Sequence, residues 1–168
     1  MSSRWESAYE HARILARVAS GFSLKHTDAS VIARAWDDVA DAWAVAADAL
    51  EERGFADMAE AARRAETSTR KLAHDRRTRP FVLAVGHVDR RGQFTALGEG
   101  DYPFETVLKH VRDAVPVQPL RIEGRRIRLE TDIEEGGEAG PPEVLEIYSD
   151  ARNLRRLVRA LERGTGGG

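Results

Sequence analysis

Apolar residues return every three or four positions between residues 3 and 20. Trp5, Ala8, Tyr9, Ala12, Leu15, Ala16 and Ala19 share one helical face, and Gly21 is a natural stop. The spacing predicts a second helix with Thr27 as N-cap and Asp28 in its first turn, running to Arg53 before Gly54. Ile32, Trp36, Val39, Ala40, Trp43, Ala47 and Leu50 fall within about one 100° sector of it, so Trp36 and Trp43 are expected to be largely buried. Asp57 followed by Glu60 makes a capping-box-like start for a third helix reaching about residue 74. Its apolar side, Met58, Ala61, Ala62, Ala65 and Leu72, is thin, because small residues bury little area.

From Pro80 the period changes from helical to alternating. "FVLAVGHV" (81–88) is apolar on both faces, as a covered central strand requires; "DRRG" supplies the Asp and Gly of a type I turn, and "QFTALG" returns. Asp101 and Pro103 introduce a helix carrying Phe104, Val107, Leu108, Val111 and Val115, which Pro116 ends. "PLRIEGRRIRLETD" folds back on Gly124-Arg125, the order of a type II′ turn, pairing Ile122 with Ile127 and Leu120 with Leu129. Leu120, Ile122, Ile127 and Leu129 then point inward, leaving Arg121, Glu123, Arg126, Arg128 and Glu130 on a solvated outer face beside Glu146 and Tyr148. "IEEGGEAGPP" reads as a polar, mobile loop, "EVLEIYS" as a fifth strand, and residues 151–163 as a closing helix with Leu154, Leu157, Val158 and Leu161 inward. The fold class is α+β: a helical unit over 1–79, an antiparallel sheet unit of order ββαβββα over 80–164 covered on one side by its two helices, and a disordered tail at 165–168.

Composition narrows the chemistry. Among 168 residues there is no cysteine, which excludes disulfides, thiolate nucleophiles and thiolate zinc sites. No apolar run approaches the roughly 20 residues of a membrane span, so no membrane partner is expected and the chain reads as soluble and cytoplasmic. There is no Gly-x-Ser-x-Gly elbow; "LGEGDYP" is neither a dinucleotide fingerprint nor a P-loop, and no cofactor is implied. His26-x-Asp28 and His87-x-Asp89 could bring imidazole and carboxylate together, but each aspartate already suits a local cap or turn. Arg4 and His11 share a face at a spacing that one class of all-helical ribonucleases uses, a pattern an arginine-rich helix also meets by chance. No catalytic or metal-binding set is assigned; an enzyme built on such His and Asp residues is the third reading.

Charge is nearly balanced overall, at −2, but unevenly placed. On the second helix Asp37, Asp41, Asp48 and Glu52 form an acidic stripe flanking the tryptophan face, and on the last helix Arg152, Arg155, Arg156, Arg159 and Arg163 lie opposite Leu154 and Leu161. Like charges four residues apart repel, so each stripe carries a cost that an opposite surface would relieve. Residues 63–79 hold seven cations, Arg63, Arg64, Arg70, Lys71, Arg76, Arg77 and Arg79, against Glu66 and Asp75. They read as the charged wall of a joint at the seam between the helical and sheet units, used internally where that seam faces the acidic second helix, or alternatively as a phosphate track that together with the last helix would contact nucleic acid. The expected function is a non-enzymatic interaction or assembly module, a subunit or adaptor whose two charge stripes engage a protein partner or a second copy.

Overall fold

The computed structural model describes residues 3–114, 119–131 and 143–166. The chain forms α1 (Arg4–Ser20), α2 (Ala29–Glu52), α3 (Ala56–Thr78), β1 (Phe81–Val88), β2 (Phe94–Tyr102), α4 (Phe104–Ala114), β3 (Ile122–Glu123), β4 (Arg126–Glu130), β5 (Glu143–Tyr148) and α5 (Ala151–Gly166). Among the described residues, five helices and a five-stranded antiparallel sheet, with three helices preceding the first strand, make an α+β protein. The expected stop at Val115 and Pro116, the loop at 133–142 and the last two residues of the tail lie outside the described residues. The closing helix continues past residue 163 to Gly166.

Contacts divide the chain into two compact units, Met1–Ser23 with Thr27–Thr78, and Leu24–His26 with Arg79–Gly168. In the first, α2 packs antiparallel against both α1 and α3. Ser3 caps α1, its side chain accepting from the Glu6 amide, and Asp28 rather than Thr27 holds the N-cap of α2. Gly54 ends that helix with φ of 77°, a conformation a Cβ would strain. The buried centre is mostly alanine: Ala12 and Ala19 on α1, Ala33, Ala40, Ala46 and Ala47 on α2, Ala59, Ala62 and Ala73 on α3. Trp36 and Trp43, expected to be largely buried, are covered over most of their surface without being fully enclosed, and Trp43 packs against the cluster of Ala47, Leu50, Ala59 and Ala62. Trp43 lies edge-on to Tyr9 and Trp5 edge-on to Phe55, so the indoles cover the flank of a centre that small residues close.

The inner face of α3 also differs from the expected one. Ala59, Ala62, Thr69 and Ala73 are buried, whereas Met58 and Leu72 are exposed. Alanine lets two helix axes approach closely, and the seam followed that closeness rather than the larger side chains.

In the second unit the strand order is β2-β1-β5-β4-β3. Asp89 fixes the first hairpin, its carboxylate accepting from the amides of Arg91 and Gln93 at 2.9 Å each. Gly124, at φ of 62°, turns the second, and Ile122 opposes Ile127 as expected; the ladder stops short of Leu120. On one face of the sheet Phe81, Leu83, Ile127, Leu129, Leu145 and Ile147 pack against Val107 and Val111 of α4 and Leu154 and Leu157 of α5. A bulge shifts the β1–β2 register at Val85/Gly86 and leaves Leu97, 68% exposed, without a cross-strand partner. There β2 passes so close that a Cβ on Gly86 would lie 2.0 Å from the Thr95 carbonyl oxygen, which only glycine permits.

The opposite face, expected to be solvated, is exposed at Arg121, Glu123 and Glu130 of the second hairpin but closed nearer β1 and β5. Val82, Ala84 and Val144 are buried on it, and Glu146 is 1% exposed. The segment Leu24–His26, from the connection between α1 and α2, belongs to this unit; Lys25 pairs with Glu99 and stands 5.2 Å over the Tyr148 ring.

Candidate interaction surface

The arginine face of α5 is held in place by what lies beneath it. Leu154 and Leu157 are completely buried in the sheet core, with Val158 and Leu161 packed beside them. The helix start is tied down as well. Ser149 donates to the Pro80 carbonyl at 2.7 Å, Asn153 donates through its side chain to Ser149 at 3.1 Å, and the Asp150 carboxylate accepts from the Asn153 amide at 2.8 Å. Arg112 of α4 donates to the Ala160 carbonyl at 3.0 Å. Arg156 lies 3.9 Å over the Phe104 ring, a cation–π contact that satisfies it locally. Arg152, Arg155, Arg159 and Arg163 are exposed, and among the described residues none of the four has an ion pair or hydrogen bond.

The acidic stripe and the basic segment meet each other inside the first unit. Arg63 donates to Glu51 at 3.0 Å and to Asp48 at 2.6 Å. Arg70 bridges Asp41 at 3.0 Å and Glu66 at 3.2 Å, and Arg77 pairs with Asp37. Arg4 completes the row at Glu52, 3.6 Å away. The arginines repeat every seven residues on α3 and reach across to α2, forming a ladder along the outer edge of the alanine seam. Hydrogen bonds to Glu51 and Asp48 raise the pKa of Arg63 above the usual guanidinium value, and those to Asp41 and Glu66 raise that of Arg70. Of the other segment 63–79 cations, Arg64 reaches only Glu60 at 3.8 Å, and Lys71 and Arg79 have no ion pair among the described residues. The stripes themselves are legible in the sequence, which sets the 63–79 cations at a joint between the helical and sheet units; Arg63, Arg70 and Arg77 are instead engaged by α2 within the first unit. The available signal for that pairing is the seven-residue repeat of Arg63, Arg70 and Arg77, which matches the separation of Asp41 and Asp48.

A second polar cluster lies on the sheet. Register places Arg128 opposite Glu146 and Arg126 opposite Tyr148. One Glu146 oxygen accepts from Arg128 Nε at 2.8 Å and lies 3.2 Å from an Arg126 nitrogen, and the other accepts from the Tyr148 hydroxyl at 2.7 Å. Burial raises the Tyr148 pKa, and the hydrogen bond to Glu146 adds to the rise. For Arg126 burial alone would lower the pKa, but the negative charge of Glu146, helped by hydrogen bonding to Tyr148, raises it overall. With both oxygens engaged, this carboxylate ties β5 to β4.

Asp89 serves its turn, and among the described residues no three His, Asp or Glu side chains could share a metal ion. Arg4 is drawn to Glu52, while His11 lines a shallow groove between α1 and α2 with Ala8, Leu15, Asp38, Asp41, Ala42 and Val45. No helix among the described residues is long and apolar enough to cross a membrane. No family model, curated protein or solved structure matches the chain.

Proposed function

We propose that this protein is a non-enzymatic interaction module, a subunit or adaptor of a larger assembly, that presents the arginine face of α5 to an acidic partner. The observation that carries this reading is the contrast between the two sides of that helix: Leu154 and Leu157 at zero exposure, and four arginines opposite them with no counter-charge among the described residues. A long cationic row fixed on a rigid base attracts an oppositely charged surface over several ångströms and orients it on arrival. The acidic stripe of α2 is less suited to the partner role, since Asp37, Asp41, Asp48 and Glu52 each already face an arginine. For the same reason the nucleic-acid alternative is weakened at 63–79, where Arg63, Arg70 and Arg77 are committed to carboxylates.

The test compares wild-type protein with a variant carrying Arg152→Glu, Arg155→Glu and Arg159→Glu as baits for quantitative affinity purification at low and moderate salt, both first checked for native circular dichroism. Proteins specific to the wild type and lost from the variant are the expected outcome. Identical recovery by the two baits would remove α5 as the docking face.

A further inference from the structure

We infer that the occupant of the α5 face is an acidic α-helix of a partner protein, laid along the arginine row with a carboxylate at every third or fourth residue. This rests on the interaction reading above and adds the chemistry and shape of what binds. Arg152, Arg155, Arg159 and Arg163 are spaced i, i+3, i+7, i+11, and at a rise of about 1.5 Å per residue they span roughly 16 Å, or three helical turns. A second helix carries its own side chains on the same lattice, so carboxylates at i, i+3 or i+4, i+7 and i+11 meet the guanidinium groups in register.

The chain already holds one finished example of this geometry. On α3, Arg63, Arg70 and Arg77 are met by Asp48, Asp41 and Asp37 of an antiparallel helix, with Arg63 also reaching Glu51 one turn along. The α5 row is the cationic half of such a ladder without its acidic half. Its surroundings argue against a stacked base or an apolar plug. The Phe104 ring is occupied by Arg156, and the large apolar residues of α5 are turned into the core or packed against it. Recognition is left to charge and lattice match. Such a contact forms fast, releases readily and weakens steeply with salt, because exposed ion pairs are screened within about 10 Å at ordinary ionic strength.

The test uses the full chain and a fluorescent synthetic helix of roughly five turns that carries glutamates along one stripe. Its controls are a peptide of identical composition with the glutamates spread around the helix, a single-stranded DNA oligonucleotide, and inorganic polyphosphate of equal total charge. The stripe peptide is expected to bind at low salt about tenfold or more tightly than the spread peptide. It should lose about tenfold or more on Arg155→Glu with Arg159→Glu, and a smaller share on the milder Arg155→Gln with Arg159→Gln. A lysine-stripe peptide should bind the reversed protein instead. Equal binding of stripe and spread peptides would overturn the helical lattice. DNA or polyphosphate binding as tight as the stripe peptide would overturn the choice of a protein helix while leaving α5 as the docking face. Stripe-peptide binding that survives both double substitutions would overturn the inference and the broader reading with it.

Discussion

Two helices of this protein carry rows of arginine at helical spacing, and the rows have opposite fates. On α3, Arg63, Arg70 and Arg77 reach the carboxylates of α2, while on α5, Arg152, Arg155, Arg159 and Arg163 meet none among the described residues. The difference lies in what each helix uses for adhesion. The inner face of α3 is alanine and threonine, which bury little area, so its position against α2 is reinforced by charge along the edge of the seam. α5 is anchored by fully buried leucines and needs no help from its outer face. Arginine on the weakly apolar helix reinforces its packing, whereas arginine opposite the strong apolar stripe of α5 makes no such contact among the described residues.

The contrast can be broken most sharply at the anchor of α5. Leu157→Ala is expected to cost about 2–5 kcal/mol in chemical denaturation, since it removes a fully buried side chain from the sheet core. A loss below about 1 kcal/mol would mean that α5 is not fixed to the sheet. Next in size is Glu146→Ala, expected to cost about 1–3 kcal/mol, moderated because Arg126 and Arg128 are partly exposed and regain water. The same variant should return the Tyr148 ionisation toward about pH 10. In the wild type the fold favours the neutral phenol, so that share of stability is complete below about pH 10 and fades as pH rises through the elevated Tyr148 pKa. Spectrophotometric titration of the tyrosines in both proteins checks it.

Smaller effects sharpen the comparison between the rows themselves. A double-mutant cycle on Arg70 and Asp41 should give a coupling of at most about 1 kcal/mol that shrinks with added salt. Replacing Arg155 and Arg159 by Glu should change the stability of the isolated protein by no more than about 0.5 kcal/mol. A destabilisation of several kcal/mol by that reversal would show that the α5 face supports the fold and is not spare.

The parts of this architecture that local chemistry specifies were readable from the sequence. Asp89 and Gly92 mark one hairpin, Gly124 the other, and the leucines of residues 151–163 repeat at helical spacing, so the order ββαβββα followed from turn residues and period. What escaped reading depends on neighbours distant in sequence. Ala59, Ala62, Thr69 and Ala73 form the inner face of α3 because α2 brings its own alanines to meet them, and a small side chain carries almost no periodic signal. Trp36 and Trp43 lie on the stripe where period puts them and are mostly covered, but alanines rather than indoles fill the fully buried positions. Gly86 is required by the approach of β2 at a bulge, and Glu146 is buried on the face away from α4 and α5; neither can be foreseen from residues beside it. Both charge rows were visible, but which one was already satisfied depended on how α3 faces α2.

The most direct test of the account follows individual arginine side chains. In the full protein labelled with nitrogen-15 arginine, the Nε–Hε resonances are assigned by single substitutions and the glutamate-stripe helix is added at low salt. The account predicts that Arg152, Arg155, Arg159 and Arg163 shift progressively with peptide while Arg63, Arg70 and Arg77 stay where they are. Shifts confined to the α3 row, with the α5 resonances unmoved, would contradict it.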